Sequence, residues 1–234
     1  MRVLFSIFAA IVFLALNAPA QTKPKSTKFP AGVPVKETGV EATGGKVEER
    51  TYTNKKFGFQ ITVPDNWFVV GADFEKIVKD KGHDISVDLA MSKASRSIDV
   101  LMTAFRSEAT SGGAILRVTA EDLKANPQIC DAVDYFDAIT AAYVTSKLPS
   151  DFVYSSTRAE KLGAKQFAYL DTSSNAGKKR MYAMVIDPIT KAGNRHMCEL
   201  GRTGIAIMFT LSYTSDNDLQ TLRHILETGK FGPK

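Results

Sequence analysis

The chain has 234 residues, of which 44% are hydrophobic and 24% charged, with two cysteines and a formal net charge of +5. That composition is globular and excludes a collagen-like, low-complexity or disulfide-dense chain. Lys and Arg number 30 against 25 Asp and Glu; a nucleic-acid binder concentrates its cations on one stripe or helix, so no nucleic-acid partner is expected.

Arg2 is the only charge ahead of an apolar run from Val3 to Leu16. Ala18 and Ala20 then supply the small-x-small pattern that a signal peptidase reads. The run is shorter than the roughly 20 residues a membrane-spanning helix needs. Residues 1–20 therefore read as a signal peptide, leaving no stable membrane anchor once removed and a periplasmic or secreted destination. Residues 21–47 are rich in Pro, Gly and Lys without apolar periodicity, which reads as a flexible linker. One domain is expected over residues 48–234.

Tyr52-Thr53 opens it as a short strand, and Asn54-Lys55-Lys56 turns the chain. Phe57, Phe59, Ile61 and Val63 then alternate with polar or small residues, the period of a strand with one buried face. Pro64 ends that strand and Trp67, the only Trp, follows. Asp73 is expected to cap a short helix with Phe74, Ile77 and Val78 inward, and Ile85 to Met91 alternate as a strand. Ile98 to Phe105 is a further strand. Its consecutive Val100, Leu101 and Met102 predict burial on both faces.

Thr119 to Ala125 carries a cap-like Thr119 and is expected to be helical up to Pro127. Beyond it, Ile129, Val133, Phe136, Ile139 and Tyr143 recur at helical spacing and predict a long amphipathic helix. Strands are expected at Val153–Ser156, Gln166–Asp171, Met181–Ile186 and Ile205–Tyr213. Ser215 with Asp218 three residues on predicts a capped last helix, with Leu219, Leu222, Ile225 and Leu226 inward. Strands joined by turns rather than by crossover helices predict a mostly antiparallel central sheet flanked by helices, an α+β chain arranged as an α/β/α sandwich.

Cys130 and Cys198 match no zinc spacing. An exported chain can keep them bridged, but spacing does not reveal whether their Cβ atoms are close, so the paired and free states both stay open. Gly39 to Lys46 departs from a phosphate-binding loop, since an extra Gly precedes Lys46 and Val47 stands where Ser or Thr would hold magnesium. His83, His196 and His224 lie far apart. Asp131, Asp134 and Asp137 read as a solvated strip near a helix start. No catalytic, metal or cofactor-binding residue is assigned, and the chain is not expected to be an enzyme. Lys55 and Lys56, with Lys178, Lys179 and Arg180, fall at turns or strand ends. If those turns share one edge, they form a docking patch for an acidic protein partner. A second reading places a small-ligand pocket between the long helix and the sheet, where Phe136, Tyr143 and Trp67 converge.

The segment from Tyr52 through Asn54, Gly58, Phe59, Ile61 and Pro64 to Trp67 resembles the opening hairpin of the PsbP-like superfamily. Phe209 to Tyr213, a polar cap, and Leu222 to Phe231 resemble that family's last strand and helix. The resemblance implies an α/β/α sandwich acting as a non-enzymatic binding or assembly module, possessed of no cofactor, with an unidentified protein partner. The connection from Asp187 to Arg202 is longer than the family's pattern and is a place for specificity.

Overall fold

The computed structural model describes residues 45–71, 98–106, 114–145, 148–175, 177–193 and 197–232. The expected signal peptide, most of the linker, and the helix and strand expected between Asp73 and Met91 lie outside them. In chain order the first strands are β1 (Lys46–Glu48), β2 (Thr51–Asn54), β3 (Phe59–Thr62), β4 (Trp67–Gly71), β5 (Ile98–Arg106) and β6 (Ile115–Asp122). Helix α1 (Ala132–Thr145) separates them from β7 (Val153–Tyr154), β8 (Arg158–Leu162), β9 (Lys165–Ser174), β10 (Gly177–Ile186) and β11 (Ile205–Tyr213). Helix α2 (Asp216–Glu227) and β12 (Lys230–Phe231) close the chain.

The strands form two sheets, and each of their pairings is antiparallel. The smaller has the order β1-β2-β3-β12; the larger runs β4-β5-β6-β11-β10-β9-β7, with β8 also on β9. The β2–β3 turn explains the Tyr-x-Asn pattern. Asn54 accepts from the Phe57 N–H at 2.9 Å and donates to the buried Tyr52 hydroxyl at 2.9 Å. Gly58 follows at φ 71°, a conformation that favours glycine, and its carbonyl accepts from Gly232 N–H at 2.8 Å. Pro64 then accepts from Trp67 N–H at 3.0 Å, and that turn carries the chain from one sheet to the other.

Side chains alternate across a strand, so a sheet covered on both faces needs apolar residues at every position. In β10, Met181, Ala183 and Val185 join Phe136, Ile139 and Tyr143 of α1 in one core cluster. Tyr182, Met184 and Ile186 join the smaller sheet and α2 in the other. Among the described residues the molecule is thus an α+β arrangement, a mostly antiparallel sheet with two helices. The larger core is aromatic: Phe59, Phe167, Phe209 and Phe231 meet with ring centroids 5.5 to 6.3 Å apart.

Helix α2 forms as its signature predicts. Ser215 and Asp218 make a capping box, and Leu219, Leu222, Ile225 and Leu226 are buried. Helix α1 is shorter than its apolar stripe. Ile129 precedes it, Val133 is 44% exposed, and Tyr135 takes the buried place instead. Its first turn is capped by Asp131, which accepts from Val133 and Asp134 N–H at 2.8 and 3.1 Å.

Three expectations are corrected. Thr119 to Ala125 is not helical. Thr119 to Asp122 belongs to β6, whose edges both pair, with β5 and β11, and only Leu123–Ala125 forms a 3-10 turn. Pairing on two sides overrides the local cap signal. The apolar run in β5 does not mark two-sided burial either. The register shifts between Val100 and Met102, a bulge that turns Leu101 and Met102 into the same core and leaves Val100 exposed. Finally, β1 starts at Lys46, inside the stretch read as linker, because Val47 pairs with Tyr52.

Candidate functional site

At the start of β10 the chain assembles a network of charges and phenols. Arg180 and Asp171 are direct partners in the β9–β10 register, as are Tyr182 and Tyr169. Arg180 donates to both Asp171 oxygens, at 2.6 and 2.8 Å, and its guanidinium lies 4.6 Å over the Tyr169 ring. Glu160 of β8 accepts from the Tyr182 hydroxyl at 2.5 Å and from Arg223 of α2. Burial works against the Arg180 charge, but Asp171 and Tyr182 outweigh it and hold the guanidinium protonated. Burial, with the Glu160 hydrogen bond added, pushes the Tyr182 phenol above its ordinary range, so it stays neutral at physiological pH. The network locks α2 onto β8 and β10 and fixes the direction of every charge in it.

Beside it, at the β9–β10 hairpin, lies an open groove of about 330 Å³, lined by Asp151, Ser173, Ser174, Asn175, Gly177, Lys178, Tyr213 and Thr214. Asp151 accepts from Asn175 N–H at 2.5 Å, which ties the loop ahead of β7 to the hairpin. Tyr213 joins groove and network: burial first, then the Asp171 charge, raises its phenol. The groove offers hydroxyls, an amide, one carboxylate and one ammonium.

Of the five basic positions named from sequence, the structure places three here and two elsewhere. Lys178 lines the groove. Arg180 is held by Asp171 and Glu160, and Lys178 to Arg180 lie at the start of β10, a strand end as expected. Lys55 and Lys56 lie at the other end of β10: the Lys55 carbonyl accepts from Lys191, in the connection that follows Ile186, at 2.7 Å. Eight strand residues, about 26 Å, separate the two ends. The two turns therefore do not share one edge, and the five residues do not make one patch.

The cysteines are brought together. Cys130 and Cys198 form a disulfide with Cα atoms 5.1 Å apart, within the ordinary range for a bridge. It clasps the approach to α1 onto the 3-10 turn Met197–Leu200, where Met197 N–H also donates to the Cys130 carbonyl at 2.9 Å. The acidic strip has structural employment: Asp134 accepts from Cys130 N–H at 2.9 Å and Asp137 from the Thr157 hydroxyl at 3.2 Å. His224 is exposed and pairs with Glu227 at 3.5 Å; His83 and His196 lie outside the described residues.

Phe136, Tyr143 and Trp67 do not converge. The first two belong to the core under α1, whereas Trp67 is buried on the opposite face of the sheet, with Arg106 5.8 Å from its ring. Glu160, Tyr169, Asp171, Tyr182 and Arg223 were not picked out from sequence. Their signal was the hairpin register: counting outward from Ser174 and Gly177 brings Asp171 opposite Arg180.

No family model matches the chain, and no curated protein matches it. Solved structures to which the chain shows similarity include a Bacteroides thetaiotaomicron protein at 7% identity and a TM-score of 0.40, covering 80% of this chain and 50% of that one. This chain thus spans about half that protein's length. Another is LpqN of Mycobacterium tuberculosis, described as involved in cell envelope biogenesis, at 12% identity and a TM-score of 0.39, with 75% of this chain and 83% of that one covered. A third is the cyanobacterial PsbP, CyanoP, of Synechocystis, at 13% identity and a TM-score of 0.41, with coverages of 77% and 91%.

Proposed function

We propose that the chain is an exported, non-enzymatic interaction module, an α/β/α sandwich of PsbP-like type that serves an envelope complex as an accessory or assembly factor. Its protein partner docks at the β9–β10 end, over the groove and Lys178. The observation that carries this reading is the Arg180 network. Four ionised groups hold one another in fixed directions, and rigid, oriented charge lowers the ordering cost of binding and selects a complementary surface. Export is supported by the signal-peptide pattern and by the Cys130–Cys198 bridge, since such bonds persist in oxidising compartments.

The test is affinity purification from the envelope of the source cell, with parent and Lys178→Glu chains compared. A stoichiometric protein partner is expected with the parent and should be lost with the variant while circular dichroism stays unchanged. Equal recovery with both chains, or a turnover abolished by one polar substitution, sinks the reading. The groove itself favours a second reading, a small polar ligand held between Asp151, Tyr213 and Lys178. Thermal stabilisation by a small-molecule fraction of the envelope, with no protein partner, would select it.

A further inference from the structure

The other end of β10 gathers lysines that are scattered in the sequence. Lys55 and Lys56 are exposed on the β2–β3 turn. Lys191 reaches that turn to donate to the Lys55 carbonyl at 2.7 Å. On the far flank, the Lys165 ammonium lies 3.6 Å from where a Cβ on Gly193 would stand, and Gly193 bridges to Ile186 at the end of β10. Among the described residues none of the four forms an ion pair. The nearby carboxylate that feels Lys55 is Glu48, and it is already held by Lys46 at 2.7 Å.

The loop between β10 and β11 is built so that its acid turns inward and its apolar tip outward. Asp187 is fully buried, accepting from Ile189 N–H at 2.9 Å, from the Thr190 hydroxyl at 3.0 Å and from Arg202 at 2.5 Å. Burial opposes its charge, but these donors win and hold the carboxyl below its ordinary range, so it is ionised and cancelled by Arg202. Lys191 closes the turn at φ 58°, a conformation that costs a non-glycine residue about 1 kcal/mol and is kept here by its N–H bond to the Asp187 carbonyl. Ile189 is left exposed at the tip, 69% accessible and two residues ahead of Lys191.

The residue types select the partner. Protein interfaces are enriched in Arg and aromatics and depleted in Lys. Lysines around an exposed aliphatic residue suit a lipid surface instead. Their stems lie along apolar matter while the ammonium groups stay among the headgroups. Each cation near an anionic leaflet contributes about 1 kcal/mol. We infer that this end docks reversibly on an anionic phospholipid membrane, with Lys55, Lys56, Lys165 and Lys191 on headgroup phosphates and Ile189 at the acyl boundary. The opposite end, with Lys178 and the groove, then points away from the bilayer.

Sedimentation of the full chain with vesicles tests this, using phosphatidylcholine alone and a mixture of three parts phosphatidylcholine to one part phosphatidylglycerol. Binding to phosphatidylcholine alone reads any contribution of the apolar N-terminal run. The parent should prefer the mixed vesicles and lose that preference at high salt. Replacing all four lysines by Gln should weaken the anionic component by roughly several hundredfold, at about fivefold for each charge. Ile189→Ser should weaken it by a few-fold, and Lys178→Gln at the other end should leave it unchanged. Equal binding to both vesicle types overturns the inference, as does a quadruple variant that binds like the parent. Capture by polyglutamate without vesicle binding would assign this end to an acidic protein and also overturn it.

Discussion

The two ends of β10 carry similar numbers of basic residues and use them in opposite ways. Where β10 begins, Arg180 and Arg223 are consumed by Asp171 and Glu160, and two tyrosines complete the shell. Where it finishes, a disulfide and the buried Asp187–Arg202 pair hold the chain, and four lysines remain without carboxylate partners among the described residues. At the first end the arginines serve cohesion and Lys178 is left beside the groove; at the second, Arg202 serves cohesion and the four lysines are left. Charge counted along a sequence does not separate these uses, because pairing depends on which strands lie opposite.

The comparison can be broken at the covalent clasp first. Replacing both Cys130 and Cys198 by Ser removes a link that spans 68 residues, and loop-closure entropy predicts a loss of about 4 kcal/mol, read by denaturant unfolding. A much smaller loss would mean that the β10–β11 connection is held without the bridge. Next in size is Arg202→Met, which leaves the Asp187 carboxylate short of its charged donor and should cost about 2 kcal/mol. Asp187 sits below its unfolded range, so its contribution is present above that range and is lost as pH falls through the folded value. The Arg202→Met chain should therefore show a flatter acid limb than the parent.

Arg180→Met attacks the other end. The four side chains there are 17 to 28% exposed, so solvent screens them, and a loss of about 1.5 kcal/mol is expected rather than the larger cost of a dry pair. A neutral result would show that the network is ornament to α2 docking. Glu121→Gln works in the opposite direction. Glu121 lies buried under α1, accepts from the Tyr135 hydroxyl at 2.8 Å, and is raised by burial. Its carboxyl favours the fold below the unfolded glutamate value and loses that advantage as pH rises through the folded value. The Gln chain should be more stable than the parent at neutral pH, with the gap closing as pH falls; a gap that persists in acid would refute this. The smallest effect belongs to Lys191→Gln and Lys165→Gln, each expected to change stability by less than about 0.5 kcal/mol, because neither has a carboxylate partner and the Lys55 carbonyl that Lys191 leaves is exposed to water. A loss as large as that of Arg180→Met would erase the distinction between the ends.

Much of the fold was legible because its causes are local. The Tyr52–Asn54–Gly58 turn, the alternation of β3 and β11, and the Ser215–Asp218 cap all rest on contacts within a few residues. The errors fell where distant pairing overruled a local signal. Thr119 looked like a cap but serves a strand with partners on both sides, and Val100 to Met102 looked doubly buried until a bulge accounted for the run. The candidate site is half visible: Lys178 and Arg180 stand out in the sequence, but Asp171 and Glu160, the partners of Arg180, do not, because the strands expected at 166–171 and 181–186 stop short of the hairpin turn.

By itself, the amino-acid order determined the antiparallel habit of this chain, the places of the two helices among the described residues, and the residues with which several turns begin, since turn and period are properties of neighbours in the chain. Only the tertiary structure decided that Cys130 meets Cys198, that Arg180 is neutralised while Lys191 is not, and that Lys55 stands a strand's length from Lys178. Those facts depend on strand register and on which loops share an end of the sheet. Both are set by the packing of the whole core rather than by any stretch within it.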